Sequence, residues 1–333
     1  MLPLRKRVAG KRVRRPRSVC AMTAAAAIAV IGEALIDLVE LGDDDPRLAR
    51  PGGSPYNVAL GLARLGQRTA FVGRISRDPL GVVLRNHALR SGVDLSPSVA
   101  ADEPSTVAMV ELDAAGRAQY RFGVRGTADF QWTAAELARV PGDYAAVHFG
   151  SLASWLAPGD TAIAHRVGEL RAAGSLVTYD PNVRPLLQPD RAAAREQIER
   201  TLPLAHLVKT SDDDIDWLRP GEAAADVAAD WLTLGPTAVI VTGGATGALA
   251  VTGDGVVFRP PVAVEVVDTV GAGDAFMTGM LDGLARRGLL AADALASAPF
   301  ADVLDDAALV AAVTCAHAGA NPPRRDELSS FRG

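Results

Sequence analysis

A three-layer α/β sandwich is the fold class this sequence predicts: a mainly parallel central sheet between helical layers, with a small β-sheet projecting as a lid. Three observations predict it. Short apolar runs alternate with Ala-, Leu- and Arg-rich stretches of helical spacing through most of the chain, and strand–helix alternation of this kind means a parallel sheet covered on both faces. Two further β-type stretches have no helix between their strands, so they belong to a separate, antiparallel sheet. The length, 333 residues, suits one large domain with an appendage or two modest domains, and a body of that size needs no staples to hold its core.

Taken in order, the strand candidates are Ala27–Ile31, Thr69–Val72, Ala145–Phe149, Leu176–Tyr179, Leu207–Lys209 and Ala238–Val241. Between them stand the helix candidates Asn57–Leu65, Leu80–Ser91, Thr161–Ala173, Arg191–Thr201 and Ala223–Leu234. In such a sheet, reactive groups gather beyond the carboxyl ends of the strands. The lid stretches are Leu35–Glu40 and Ser105–Phe122, the second hinged at Asp113-Ala114-Ala115-Gly116. The folded domain is therefore expected over 27–331, with lid segments at about 34–51 and 104–124, and a small sheet near the active edge makes a natural cover for a substrate.

Residues 1–26 read as an extension. Eight of the first 21 residues are Lys or Arg and none is acidic; with a net charge of −5 for the whole chain, the rest carries −13. Three readings compete: a targeting signal, a nucleic-acid arm, and a disordered extension upstream of a start at Met22. The first is disfavoured because the apolar stretch Ala21–Ile31 runs into Gly32–Asp37, which reads as core. The second lacks aromatic or structured support, and an acidic body argues against nucleic acid as the main partner. No segment has the run of about 18 charge-free apolar residues that spans a bilayer, so no membrane role is expected. Two cysteines, Cys20 and Cys315, make no disulfide framework, and a cytoplasmic setting is expected.

The strongest chemical signal is Asp268-Thr269-Val270-Gly271-Ala272-Gly273-Asp274-Ala275-Phe276. It is a Gly-rich turn leading into a helix, since Phe276, Met277, Met280, Leu281 and Leu284 recur at helical spacing. Gly279 and Gly283, four apart, would let that helix approach a neighbour closely. A helix N-terminus favours an anion. Asp274 there is either an N-cap or a general base beside an anion hole, the pairing that phosphoryl transfer requires. The second signal is Arg50-Pro51-Gly52-Gly53-Ser54-Pro55-Tyr56-Asn57. Asn57 supplies a donor and an acceptor together, which a polyol needs, although an ordinary strand-to-helix turn would read the same.

The two motifs together resemble the paired signature of the ribokinase-like, or PfkB, carbohydrate kinase family, over about residues 27–331. Asp180-Pro181-Asn182-Val183-Arg184-Pro185 and Arg125-Gly126-Thr127-Ala128-Asp129 look like fructokinases within it. The resemblance implies a ribokinase-like fold and ATP-dependent phosphorylation of a primary hydroxyl of a small sugar. It implies Asp274 as base, with Gly271, Ala272 and Gly273 as the anion hole. Asp37, Gly52, Gly53 and Asn57 match positions that hold sugar hydroxyls, and Arg184 a basic residue near the sugar or the transferred group. Lys209, Ser211, Thr242, Gly244, Gly247, Gly273 and Gly319 are implied on the nucleotide side. Asp268, Val270 and Gly319 are implied around a monovalent cation, with K+ the candidate. Mg2+ is implied with ATP; where the family often has Asn-x-x-Glu, this chain has Ser211 and Asp214, which places Asp214 in the magnesium network. Many relatives pair their lids, so a homodimer is expected.

Other classes fit less well. The dinucleotide fingerprint G-x-G-x-x-G is missing after the first strand, and the phosphate loop G-x-x-x-x-G-K-[ST] is missing altogether. The histidines His87, His148, His165, His206 and His317 lack metal-ligand spacing. A sugar- or nucleotide-sensing protein of the same fold would be free to lose the base, and Asp274 with both glycines is intact. Among sugars, a neutral ketohexose is preferred over ribose. Kinases for 2-keto-3-deoxygluconate usually present Tyr-Arg on the lid, where this chain has Gly123 and Val124, with Arg125 one step away.

Overall fold

The computed structural model describes residues 27–39, 48–112 and 118–331. The basic extension and the Asp113–Gly116 turn lie outside the described residues. In chain order the first half comprises β1 (Ile28–Ile31), β2 (Leu35–Val39), β3 (Leu48–Gly52), α1 (Ser54–Arg64), β4 (Thr69–Val72), β5 (Arg74–Ser76), α2 (Pro79–Arg90), β6 (Val99–Ala101), β7 (Val107–Leu112), β8 (Ala118–Gly123) and α3 (Ala134–Leu137). There follow β9 (Ala146–Gly150), α4 (Asp160–Ala172), β10 (Leu176–Asp180), α5 (Arg191–Thr201), β11 (Leu207–Ser211), α6 (Asp212–Leu218), α7 (Ala224–Leu232) and β12 (Ala238–Thr242). The chain closes with β13 (Ala248–Thr252), β14 (Gly255–Arg259), α8 (Ala272–Arg286), α9 (Ala292–Leu295), α10 (Phe300–Cys315) and α11 (Arg325–Phe331).

The main sheet runs β14-β13-β12-β11-β10-β9-β1-β4. Every pair from β4 to β12 is parallel, and β13 and β14 close that edge as an antiparallel hairpin. Successive side chains of a strand point to opposite faces, so the buried strands feed two cores. Ala29, Ile31, Val147, Phe149, Val177, Tyr179 and Val208 pack with residues of α4, α5, α6 and α7. Ile28, Val30, Ala146, Leu176, Leu207 and Ile240 pack with α1, α8 and α10. Helices thus lie on both faces, and the three layers follow from strands that are buried on both sides of the sheet.

All six parallel strands appear where the sequence places them. The β13–β14 hairpin was not anticipated, because Val256 and Phe258 are exposed on its outer strand and no continuous apolar run marks it. Its signal is the Asp254-Gly255 turn between two β-type runs. Helix α1 begins at Ser54, three residues before the expected Asn57, with Gly53 as its cap and Pro55 in its first turn. The expected close approach of α8 is present: a Cβ on Gly279 would stand 2.6 Å from Ala307 Cα of α10. That contact seats α8 and so aims its N-terminus at the sheet edge.

The small sheet has the order β3-β2-β7-β8, with β2 and β7 parallel and each outer strand antiparallel to its neighbour. Only Gly32–Ala34 separates β2 from β1. Asp129 fastens the base of this sheet to the body. Its buried carboxylate accepts from the Ala34 N–H at 2.8 Å, just before β2, and from Thr106 Oγ1 at 2.5 Å, just before β7. Burial pushes the Asp129 carboxyl up to about 7 from its ordinary 3.8, against the hydrogen bonds from Thr106 and Ala34, with Glu33 adding to the rise.

Because the folded value is raised, the folded chain holds a proton there that the unfolded chain has lost between about pH 4 and 7. The associated stability is present at the acid end and lost as pH rises through about 7. Asp129→Asn needs no proton to keep both contacts. Denaturation midpoints of the two proteins should therefore diverge as pH rises from about 5 to 8, with the wild type falling relative to the variant; parallel profiles would contradict the assignment.

Candidate active site

A cavity of about 510 Å3 opens between the carboxyl ends of β1, β9 and β10 and the small sheet. Of the residues singled out in the sequence, Asp37, Gly53, Asn57, Arg184, Asp268, Val270, Gly271, Asp274 and Gly319 line it. Gly52, Ala272, Gly273, Lys209, Ser211, Asp214, Thr242, Gly244 and Gly247 lie outside that wall.

Asp274 stands in the first turn of α8, but it is not the cap. Gly271 holds that position with φ of 78°, a left-handed conformation that favours glycine, and a Cβ there would sit 2.6 Å from the Ala320 side chain. Freed from capping, Asp274 reaches the cavity, where its Oδ2 accepts from Asn57 Nδ2 at 2.8 Å and where Ser54 also donates to it. Burial pushes this carboxyl above the usual range; the bonds from Asn57 and Ser54 and the charge of Lys209 oppose the rise, and Asp180 adds to it. The Ala272 N–H turns back to the Thr269 carbonyl at 3.1 Å. Gly273 belongs to the helix's first turn, whose N–H groups have no intrahelical acceptor. Asn57 has a second free hand: its Oδ1 is buried without a hydrogen-bond partner among the described residues, and it can accept from a polyol hydroxyl.

The small sheet brings Asp37 over the cavity, paired in register with Arg50. Its carboxylate backs onto Gly52, where a Cβ would meet Asp37 Oδ2 at 2.2 Å. Burial and the charge of Asp274 push Asp37 up to about 6, while Arg184 and Arg50 hold it down. Two charged residues of this wall, Glu33 and Arg50, were not singled out from the sequence. Glu33 is buried with its Oε2 accepting from the Ala153 N–H at 3.1 Å, and burial raises its pKa despite that bond and one from Ser151. Arg50 lies against Gly319, its Nη1 2.9 Å from where a Gly319 Cβ would stand. The structure therefore places Gly319 beside the cavity. Arg50 was quoted only as part of its motif, and its facing becomes legible only once β3 is seen to fold back on β2.

The nucleotide-side candidates form a second group. Ser211 and Thr242 are register partners at the carboxyl ends of β11 and β12, and Gly244 and Gly247 shape the following turn with φ of 53° and 103°. Lys209 joins the two groups from inside. It is 4% exposed, its Nζ donates to Asp180 Oδ2 at 2.8 Å, and that nitrogen lies 3.0 Å from where a Gly273 Cβ would stand. Burial alone would lower its pKa; the charge of and hydrogen bond to Asp180 outweigh this and raise it. The ammonium thus sits charged behind the Gly-rich turn. Asp268 is occupied by backbone: Oδ2 accepts from Gly319 N–H at 2.7 Å and Oδ1 from Val270 N–H at 3.0 Å. Among the described residues no group of three or more His, Cys, Asp and Glu side chains is arranged to hold a metal. A magnesium ion that arrives with phosphates needs no such cage, since one or two carboxylates and water complete its shell.

The model of the pfkB family carbohydrate kinases matches residues 25–327. Fructokinase from Rhizobium leguminosarum bv. trifolii is 38% identical over 273 residues, covering 80% of this chain and 82% of that protein. Aminoimidazole riboside kinase from Salmonella typhimurium is 32% identical, covering 91% and 93%. A crystal structure of fructokinase from Xylella fastidiosa with bound ATP superposes with a TM-score of 0.85 at 28% identity, over 92% of this chain and 98% of that one.

The buried Asp180–Lys209 pair sets a stability test. Lys209→Met strands Asp180 as an uncompensated buried charge, and breaking such a pair costs roughly 3–5 kcal/mol. The urea midpoint should fall accordingly and recover in Asp180→Asn/Lys209→Met; an unmoved midpoint in the single variant would show that the pair does not form.

Proposed function

The chain belongs to the pfkB family of carbohydrate kinases, and on that premise we propose that it transfers the γ-phosphoryl group of ATP to a primary hydroxyl of fructose, with Asp274 as general base. The observation that carries this reading is the Asn57–Asp274 bond beside the Gly-rich turn. It brings a carboxylate, a side-chain amide and a helix N-terminus to one point, which supports this reading. The sugar hydroxyl oxygen attacks the γ-phosphorus in line, the bond to the bridging oxygen breaks, ADP leaves, and the proton passes to Asp274. Asp37 and the free Oδ1 of Asn57 hold other sugar hydroxyls, and Arg184 faces the sugar or the transferring group. Gly271 and Gly273 steady the transferring charge, with Lys209 behind them adding positive potential. Thr242, Gly244 and Gly247 form the bed of the nucleotide, together with Ser211.

Mg2+, bound with ATP, would supply charge neutralisation across the phosphates. A monovalent cation such as K+ belongs, in this reading, near Asp268, Val270 and Gly319. There it would meet carbonyl oxygens, since the Asp268 carboxylate is taken by N–H groups. The preference for fructose rests on the Arg125–Asp129 and Asp180–Arg184 segments and on the 38% identity to a fructokinase. Aminoimidazole riboside is the second reading, supported by a relative matched along 91% of this chain. 2-Keto-3-deoxygluconate finds less support, because Arg125 is exposed and outside the cavity wall, where Phe122 stands. A cytoplasmic homodimer paired through the lid fits this reading; β3 and β8 are the edges of the small sheet, and edges of this kind accept partners. No helix among the described residues is long and apolar enough to cross a membrane.

Removing the base decides the mechanism. Asp274→Ala should lower kcat by about 10²–10⁴, with sugar affinity measured by calorimetry largely retained. Turnover unchanged in the folded variant would exclude Asp274 as the base.

A further inference from the structure

Arg184 does not choose its own position. Its Nη1 donates to the Asn182 carbonyl at 3.3 Å and the Val183 carbonyl at 2.9 Å, so the guanidinium goes where the 180–185 turn puts it. That turn includes Asn182 at φ of 44°, a left-handed conformation costly for a residue with a Cβ, and it persists because neighbours hold it. Asp180 Oδ1 accepts from Asn182 N–H at 3.1 Å, and Asn182 Nδ2 donates to Ser151 Oγ at 3.2 Å. The third tether comes from a distant segment: Asp214 Oδ1 accepts from Val183 N–H at 3.1 Å, across 31 residues.

Asp214 stands where the family resemblance implies part of a magnesium–phosphate network, and its setting does not fit that task. The residue is 9% exposed and takes no part in the cavity wall. Its second oxygen faces Ser211 N–H at 3.4 Å, and Ser211 Oγ accepts from the Asp214 N–H at 3.0 Å, a capping box that closes the start of α6. Both carboxylate oxygens are thus directed at backbone. The Glu that the resemblance expects is one methylene longer; Asp here is short enough to stay within its own helix turn and the Val183 amide.

We propose that Asp214 is a positioning residue, which anchors the Val183 amide and thereby sets Arg184 over the sugar, rather than a member of the metal site. The proposal rests on the reading of Arg184 as a sugar-site residue.

The test compares Asp214→Asn, which keeps an acceptor for Val183 N–H but loses the charge and the longer contact to Ser211 N–H, with Asp214→Ala, which loses the acceptor as well. Arg184→Ala serves as the benchmark. Fructose KM should rise roughly tenfold in Asp214→Ala, the scale of one lost orienting hydrogen bond. It should stay within about twofold of wild type in Asp214→Asn, with the Mg2+ concentration for half-maximal rate unmoved in both. Hydrogen–deuterium exchange of the peptide over 180–187 should accelerate in Asp214→Ala and not in Asp214→Asn. Two variants equally impaired, with a raised Mg2+ requirement, would return Asp214 to the metal network and overturn the proposal. Unaltered exchange in Asp214→Ala would overturn it whatever sugar the enzyme uses. If Asp214→Ala does not fold, Asp214→Asn still decides, because loss of the charge with the Val183 acceptor retained should leave the kinetics near wild type. Failure of the wild type to turn over fructose would instead count against the substrate assignment and leave the exchange result standing.

Discussion

The site is organised around a buried ion pair. Lys209, the lone lysine of the described chain, and Asp180 are both nearly sealed from solvent and bonded at 2.8 Å. Taking two charges out of water costs several kcal/mol per ion, so the pair is a poor device for stability alone. What it does is join parts. Parallel pairing of Thr178 with Leu207 and of Tyr179 with Val208 brings the carboxyl ends of β10 and β11 side by side. Asp180 then holds Lys209 with one oxygen and the Asn182 amide with the other. Lys209 lies under Gly273 and Asn182 leads to Arg184, so one carboxylate ties the Gly-rich turn of α8 to the turn that carries Arg184.

Around that tie three carboxylates are gathered, one of which takes the proton in the proposed reaction. Glu33, Asp37 and Asp274 share one cavity, and each is raised by burial, with the charge of Asp274 adding to the rise of the other two. A carboxylate raised in this way is a better proton acceptor than one in water, and the bonds from Asn57 and Ser54 hold Asp274 toward the cavity rather than in a helix cap. Arg50 and Arg184 hold Asp37 down against that rise. The close seat of Gly279 on α10 supplies the mechanical side, because α8 could not bring Asp274 to the sheet edge from further away.

The sequence made legible those features whose cause is local. Each parallel strand is a run buried on both faces, and the 268–276 segment is a turn and a helix start in nine residues. The small sheet was legible as β-type stretches, but β3 was not, since Leu48–Gly52 contains Pro51 and Gly52 and pairs only because β2 offers an edge. Features that depend on which side of a sheet a residue faces were out of reach. Lys209 reads from sequence as a nucleotide ligand and proves to be buried against Asp180. Asp214 reads as a magnesium partner and its carboxylate turns to backbone. Glu33 sits unremarked within a core-like run, although a carboxylate in such a run is itself a signal, because buried acids are rare unless they are paired or functional. Asp129 is similar: its motif is recognisable, but its hold on the starts of β2 and β7 needs the fold.

The measurement that tests the central claim most directly is coupled ADP release from Mg-ATP with fructose, aminoimidazole riboside, ribose and 2-keto-3-deoxygluconate, each with and without K+. The account predicts sugar-dependent ADP formation with the highest kcat/KM for fructose and phosphate recovered on a primary hydroxyl. ATP binding with no ADP release from any acceptor would contradict it, and would turn the same cavity into that of a sensor.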